Sequence, residues 1–275
     1  MPRLLSVPRT HQVGPTTVWE WPGRPPDTLL LHGIGNYGRY WDFFAETIAG
    51  RLRLLAPDAR GHGDSDKPAR GYAPQNFVGD VLAIIDALTS ERPLVVGHSM
   101  GGFHATALTL ARPDRVRALV LVDVGPRIEE AGDSRARRLS LGRPERFADD
   151  ASALAYLRET SPGYNDAVYA NRMRWVFMRE GDTLVWRSSK TALAKILDES
   201  RMHASEVWAR LGEIRCPVLV VRGTRSPSLS EATARGMIVS LPHARLVELD
   251  AGHNVALDRP RELAEEVMRF VSELR

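Results

Sequence analysis

The 275-residue chain has little of several features that define large classes of proteins. It contains a single cysteine, Cys216, so no disulfide bond can form within the chain, which is compatible with a reducing cytoplasm. Cys216 begins an apolar stretch without a glycine-flanked turn, and we interpret it as a small buried side chain rather than a nucleophile. No apolar run is long enough for a membrane span, or for a signal peptide within Met1–Gln12. We therefore expect a cytoplasmic protein with no membrane partner.

Strong charge of one sign is also missing. The formal net charge is +3, and no dense run of Lys and Arg with interleaved aromatics indicates a nucleic-acid partner. Hydrophobic residues make up 43% of the chain and charged residues 26%, which is typical of a soluble globular protein. The length suits one large domain with an elaboration, and the composition indicates no particular oligomeric state.

The most informative motif is Gly97-His98-Ser99-Met100-Gly101. An apolar run that predicts a buried strand, Pro93–Val96, precedes it, and a predicted helix, Gly102–Arg112, follows it. A serine between glycines on a tight strand-to-helix turn is a nucleophile elbow. The glycines are needed because side chains beside the strained serine would collide with the turn. The following helix N-terminus favours a developing oxyanion.

Apolar strands and amphipathic helices alternate along most of the chain. An antiparallel start is predicted over Leu4–Trp21 with a turn at Gly14-Pro15. The predicted strands and helices then follow in order: strand Thr28–Leu31, helix Arg39–Ile48, strand Arg53–Ala56, helix Pro74–Leu88, strands Pro93–Val96, Ala118–Val122, Pro217–Val221 and Leu246–Leu249, and a helix from Pro260. This pattern predicts a mostly parallel sheet covered on both faces, with ligands bound at the carboxyl ends of its strands.

The alternation stops between Gly125 and Leu211, where the chain is helical in composition and rich in arginine and aromatic residues. We predict an inserted helical cap over residues 126–211, with residues 1–125 and 212–275 forming the core. Five arginines of this stretch either form a solvated helix face or meet an anionic substrate. They are Arg135, Arg137, Arg138, Arg143 and Arg146.

Four motifs together resemble the α/β-hydrolase superfamily. They are His32-Gly33 after an early strand, Arg60–Ser65 after the next, the serine motif at 97–101, and Gly252-His253 after the last strand. The resemblance runs from the first core strand to the C-terminal helix and excludes the cap. It implies an α/β fold, a mostly parallel sheet flanked by helices, and an enzyme without a cofactor. His62, Asp64 and Asp66 lie close in sequence, but no further ligands accompany them, so we expect no metal.

The resemblance implies a nucleophile, a base and an acid that orients the base. Ser99 is the nucleophile, and His253 is the base because it follows the last strand in the expected order of serine, acid and histidine. His62 and His98 lie in family motifs and receive scaffold roles. His104, one turn into the helix after the serine, is predicted to pack.

The acid departs from the commonest family pattern. Many relatives carry an aspartate after the penultimate strand, where this chain has Ser226 and no neighbouring carboxylate. Some members of the superfamily carry the acid after the strand that follows the elbow unit, which here ends at Asp123. We therefore predict Asp123 as the acid, with Asp250 as the alternative. Asp123 also fits a strand-end residue that caps the next turn.

The resemblance further implies two backbone oxyanion donors. One is the N–H of Met100, directly after the serine, and the other is the N–H of Ile34 in the loop after His32-Gly33. Aromatic residues continue that loop, and they either line the substrate pocket or staple the first helix. These aromatic residues are Tyr37, Tyr40 and Trp41.

These residues predict a cofactor-independent serine hydrolase that cleaves a small-molecule carboxylic ester or lactone through an acyl-enzyme. Carbon–carbon bond hydrolases, perhydrolases and thioesterases of the same fold also keep a serine at the elbow and stay open as alternatives. A hydrolase-like ligand receptor is a different class. The intact Ser99 and His253 argue against a receptor, and the missing carboxylate at Ser226 is the one feature in its favour.

Overall fold

A computed structural model describes residues 8–125 and 129–274 of the chain. The central strands of its main sheet coincide with short apolar runs, in which alternate side chains reach both faces of the sheet. In chain order they are β1 (Arg9–Val13), β2 (Thr16–Trp21), β3 (Thr28–Leu31), β4 (Leu54–Pro57), β5 (Leu94–His98), β6 (Ala118–Val122), β7 (Arg146–Phe147), β8 (Phe177–Glu180), β9 (Thr183–Trp186), β10 (Val218–Gly223) and β11 (Ala244–Leu249).

Eight of the strands in the described part of the chain form one sheet, in the order β1-β2-β4-β3-β5-β6-β10-β11. β2 is antiparallel to β1 and to β4, and the pairs from β4 to β11 are parallel. This arrangement confirms the predicted mostly parallel sheet. Since the parallel strands run in one direction, their carboxyl ends meet at one edge, where a ligand site is expected.

Helices cover both faces of this sheet. In chain order they are α1 (Asp42–Ile48), α2 (Pro74–Leu88), α3 (Met100–Ala111), α4 (Glu130–Leu141), α5 (Asp150–Thr160), α6 (Asp166–Val176), α7 (Lys190–Ala209), α8 (Glu231–Ser240), α9 (Val255–Asp258) and α10 (Pro260–Glu273). Leu94 and Val96 of β5 join the apolar core shared with α1 and α10, whereas Val95 joins the core shared with α2 and α3. None of the helices described is long and apolar enough to cross a membrane.

The stretch predicted as a helical cap also contains a small sheet. Helices α4 to α7 are present, and β7, β9 and β8 pair antiparallel in that order. The sequence pattern did not predict this sheet. A two-residue turn, Gly181-Asp182, joins β8 to β9 with a positive φ of 59° at the glycine. Gly-Asp between two short apolar runs is a hairpin signal that the helical composition of the region obscured.

Most predicted element positions agree with the structure. The predicted helix Pro74–Leu88 has the same bounds, and the antiparallel start is present as β1 and β2. The beginning of that segment, residues 4–7, and the predicted start of the cap, residues 126–128, lie outside the described residues. The division of the chain into core and cap stays a prediction.

Candidate active site

Ser99 occupies the turn between β5 and α3 with a left-handed backbone, at φ 52° and ψ −120°. The N–H of Ser99 donates to the Val122 carbonyl at 3.1 Å, which ties the turn to the neighbouring strand. A Cβ on Gly101 would lie 2.3 Å from the backbone oxygen of Leu31, so only glycine fits there. The structure therefore contains the glycine-dependent elbow expected from the sequence.

His253, in the loop after β11, lies between Ser99 and Asp123. Its Nε2 is 3.0 Å from Ser99 Oγ, and its Nδ1 is 2.7 Å from Asp123 Oδ2. We assign the proton to Nδ1, because that nitrogen then donates to the carboxylate while Nε2 accepts from the serine hydroxyl. The structure thus brings together the three residues predicted to share the chemistry.

Asp123 directly follows β6 and is fully buried, with a positive φ of 51°. Its Oδ1 accepts the Gly223 N–H at 2.9 Å, and its Oδ2 accepts a short hydrogen bond from the Ser226 hydroxyl. The Ser226 oxygen in turn accepts the Ser228 N–H at 3.1 Å. Several donors thus satisfy the oxygens of one buried carboxylate. At the position where many relatives carry the acid, this chain supplies a hydroxyl that binds the acid instead.

Asp250, the alternative acid, lies elsewhere. Its carboxylate pairs with Arg225 at 2.8 Å and with Arg259 at 3.1 Å, and its side chain is 70% exposed. In this arrangement Asp250 is a surface ion-pairing residue, and the His253 ring has Asp123 as its carboxylate partner.

Two buried histidines hold the backbone of the site. His98 Nε2 donates to the His253 carbonyl at 2.8 Å, and His62 Nε2 accepts the Gly35 N–H at 3.0 Å. Burial lowers the pKa of both rings well below the ordinary value, so they stay neutral. Both act as the scaffold residues expected from the sequence.

The other two buried histidines have different surroundings. His32 accepts the Ala59 N–H at 3.0 Å, and burial lowers its pKa to about 4. His104 stacks on Phe77 with ring centres 3.8 Å apart, and burial lowers its pKa to about 3. His104 therefore packs, as expected.

Ile34 and Met100 line the same cavity as Ser99. Met100 is the first residue of α3, and N–H groups in the first turn of a helix have no acceptor within the helix. The neighbouring Gly35 N–H is occupied by His62. Among the loop aromatics, Tyr40 and Trp41 are buried in the core beside α1. They staple the first helix rather than line the cavity.

A cavity of about 220 Å³ opens above Ser99, between the sheet edge and the inserted segment. The inserted segment contributes both charged and aromatic side chains to its wall. They include Asp133, Arg135, Arg143, Tyr156, Arg172 and Trp186. Tyr156 and Arg172 were not among the predicted site residues, because helical periodicity carries no information on which face of an inserted helix meets the sheet. Asp64, which lies close in sequence to His62 and Asp66, pairs with Arg187.

Comparison with known proteins identifies the family of this chain. The family model for the alpha/beta hydrolase family matches residues 28–266. The chain belongs to the alpha/beta hydrolase family. The predicted superfamily and fold are confirmed, and the protein is a hydrolase.

Its relatives within the alpha/beta hydrolases act on different compounds. The chain is 29% identical to a 3-hydroxybutyrate-oligomer hydrolase of Cupriavidus necator over 265 residues, covering 90% of this chain and 88% of the relative. It is 30% identical to a 2-(acetamidomethylene)succinate hydrolase of Mesorhizobium japonicum over 211 residues, covering 76% and 74%. A crystal structure of E-2-(acetamidomethylene)succinate hydrolase superposes with a TM-score of 0.86 at 27% identity, covering 97% of this chain and 99% of that one.

Proposed function

We propose that this alpha/beta hydrolase cleaves a carboxylic ester or lactone of a small molecule through an acyl-enzyme on Ser99. The observation that carries the proposal is the continuous hydrogen-bonded series from Ser99 Oγ to His253 at 3.0 Å and from His253 to Asp123 at 2.7 Å. A nucleophile, a base and a group that orients the base are the parts that acyl transfer requires.

In the proposed reaction, Ser99 Oγ attacks the ester carbonyl carbon while His253 Nε2 takes the hydroxyl proton. The N–H groups of Ile34 and Met100 donate to the oxyanion that forms. The carbon–oxygen bond then breaks, and the imidazolium gives its proton to the leaving alcohol. A water molecule, deprotonated by His253, attacks the acyl-enzyme and releases the acid and the free serine.

Asp123 keeps the proton of His253 on Nδ1 and stabilises the imidazolium that forms during each step. Its own geometry is set by Gly223 and Ser226, which donate to its two oxygens. Since these donors are already in place, the carboxylate needs no reorganisation when charge develops on the ring. Ser226 is therefore a positioning residue for the acid.

The direct test is turnover of p-nitrophenyl esters of increasing acyl length by the protein and by Ser99→Ala. We expect Ser99→Ala to lower kcat by about 10⁴-fold or more, because the nucleophile is removed. Ser272→Ala is the matched control, since Ser272 lies at the C-terminal end of α10 and its hydroxyl donates to the Arg269 carbonyl. A fluorophosphonate should form an adduct at Ser99, detected by mass spectrometry.

Equal turnover by Ser99→Ala would contradict the proposal. Absence of labelling in correctly folded protein would favour a ligand receptor. Serine-dependent turnover confined to thioesters or to carbon–carbon bonds would keep the nucleophile and change the bond that it cleaves.

A further inference from the structure

The wall of the cavity formed by the inserted segment carries an almost fully buried cation. Arg143 is 4% exposed and donates to the side-chain and backbone oxygens of Ser188 at 2.9 and 2.7 Å. Its guanidinium also lies over the Trp186 ring, 4.2 Å from the ring centre. Burial lowers the pKa of Arg143 to about 10, so it stays charged near neutral pH. No carboxylate among residues 8–125 and 129–274 forms an ion pair with it.

A second guanidinium of the same wall, that of Arg172 on α6, forms no ion pair with a carboxylate of the described residues. Arg172 is half-buried, and its Nε is buried with no hydrogen-bond partner in the described parts of the chain. Its Nη1 donates to the Ser161 hydroxyl at 3.5 Å. An arginine has five N–H donors, so within residues 8–125 and 129–274 most of those on Arg172 have no protein acceptor.

The two guanidinium groups line the same cavity as Tyr156. Arg143 lies over the Trp186 ring, and the centre of that ring is 5.9 Å from the centre of the Tyr156 ring. Burial raises the pKa of Tyr156, and the charges of Arg143 and Arg172 oppose that rise, as expected of cations on the same wall. Tyr156 lines the cavity together with Ser99 and His253. Glu159 also acts on Tyr156 and raises its pKa, but Glu159 is exposed and is not among the residues that line the cavity. The two guanidinium groups, neither of them ion-paired with a carboxylate of the described residues, therefore place positive charge on the cavity wall.

The acidic groups of the wall do not neutralise this pair. Asp133 is engaged by Arg137 and Arg201, each at 3.1 Å. The Glu129 carboxylate accepts from the Ser230 and Thr233 hydroxyls. Among the described arginines of the inserted segment, Arg137 has carboxylate partners, whereas Arg143 and Arg172 line the cavity.

We propose that Arg143 and Arg172 bind a carboxylate group of the substrate whose carbonyl Ser99 attacks. Guanidinium groups present paired donors that match the two oxygens of a carboxylate, and burial strengthens such charge-assisted hydrogen bonds. The inference rests on the proposed function in placing the reacting carbonyl at Ser99. The carboxylate site itself is tested without turnover.

The first experiment measures binding of glutarate to Ser99→Ala protein by calorimetry, with glutaramide as the neutral analogue. We expect glutarate to bind and glutaramide to bind at least about tenfold more weakly. Arg172→Gln and Arg143→Met, each in the Ser99→Ala background, should each weaken glutarate binding about tenfold to hundredfold. Arg138→Gln is the matched control, because Arg138 is an exposed arginine on helix α4 of the same inserted segment. It should leave glutarate binding unchanged.

Because Arg143 also holds Ser188, each variant is first checked for native circular dichroism and melting temperature, and Arg172→Gln carries the test if Arg143→Met does not fold. Equal binding of glutarate and glutaramide, or binding that survives loss of Arg172, would overturn the proposal. Tighter binding of phenyl phosphate than of glutarate would overturn the assignment to a carboxylate.

The second experiment connects the carboxylate to turnover. We compare kcat/KM for the p-nitrophenyl half-ester of adipic acid with that for p-nitrophenyl hexanoate, expecting the charged ester to be preferred. In Arg172→Gln the ratio of the two values should fall at least about tenfold. Preference for the neutral ester would count against the carboxylate site. If glutarate binds in an arginine-dependent manner and no ester is hydrolysed, the proposed hydrolysis fails while the carboxylate site stands.

Discussion

The two walls of the cavity are supported in different ways. At the sheet edge, backbone groups hold the reacting residues: Gly223 donates to Asp123, and Val122 accepts from Ser99. In the inserted segment, side chains hold one another, as in the aromatic group of Phe147, Phe177 and Trp186. The first kind of support depends on strand pairing, whereas the second depends on the identity of each side chain.

This difference separates the residues that react from the residues that choose the substrate. Strand pairing is shared by every chain with this fold, so it preserves the positions of nucleophile, base and acid. Contacts between side chains change with each substitution. Substitutions in the inserted segment can therefore introduce new charged side chains while the sheet edge stays intact. The predictions below test that separation, beginning with the largest expected effect.

The sheet edge should tolerate no change of the acid. We expect Asp123→Asn to lower kcat on p-nitrophenyl esters by about 10⁴-fold. The amide favours the wrong tautomer of His253, and it does not stabilise the imidazolium that forms during the reaction. Asp250→Asn is the control and should leave kcat within about twofold, since Asp250 pairs with surface arginines. Equal losses in the two variants would move the acid away from Asp123.

A carboxylate placed at the commoner family position should compensate in part. Ser226 contacts Asp123 directly, so Ser226→Asp in the Asp123→Asn protein brings a carboxylate into the same cluster. We expect kcat of the double variant to exceed that of Asp123→Asn by at least about tenfold, a fraction of the 10⁴-fold loss. If kcat did not recover, a carboxylate at position 226 could not replace the one that strand order places at position 123.

The inserted wall should open without disturbing the sheet. Phe177 is 2% exposed, and its aromatic neighbours Phe147 and Trp186 both belong to the inserted segment. We expect Phe177→Ala to cost about 3–5 kcal/mol of local stability through the cavity that it leaves. Hydrogen exchange should accelerate over residues 130–209 while the amides of β5 and β6 stay protected.

Leu119→Ala is the counterpart in the sheet, because Leu119 is fully buried in β6. It should lower the free energy of global unfolding by about 2–5 kcal/mol and accelerate exchange throughout the chain. If Phe177→Ala also exposed β5 and β6, the two walls would form one cooperative unit and the comparison would not hold.

The smallest effect concerns pH and the histidines beneath the sheet edge. The folded pKa values of His32 and His104, about 4 and about 3, lie below the ordinary value of 6.5. Only the unfolded chain takes up these protons as pH falls below 6.5. The contribution of each neutral ring to the free energy of unfolding is therefore complete above that pH. It falls by about 1.4 kcal/mol for each pH unit between the ordinary value and the folded pKa.

Asp58 acts in the opposite direction, because burial raises its folded pKa from 3.8 to about 6 and favours the folded state as pH falls through that range. His62 and His98 also have lowered pKa values, so the four histidines together change the free energy of unfolding more than Asp58 does.

Urea unfolding at pH 7.5 and 5.5 should show lower stability at pH 5.5. His104→Leu should reduce that difference by about 1 kcal/mol, and His243→Leu, at an exposed site, should not.

The sequence by itself determined the features that depend on neighbours along the chain. The elbow at Ser99 needs glycines at fixed offsets, so it can be recognised from five residues. Helix α2 has an apolar face and a proline in its first turn, and its bounds followed from that pattern. Such features are local because the backbone conformation of a turn or helix is decided by the residues within it.

Only the tertiary structure decided which distant groups meet. Asp123 and Asp250 both follow strands, yet strand order places Asp123 beside His253, 130 residues away in sequence, and leaves Asp250 among surface arginines. The inserted segment shows the same limit, since periodicity predicted helices but neither its small sheet nor the place of Arg143 and Arg172 in the cavity wall. Those contacts depend on how separate elements pack, which no local pattern of residues encodes.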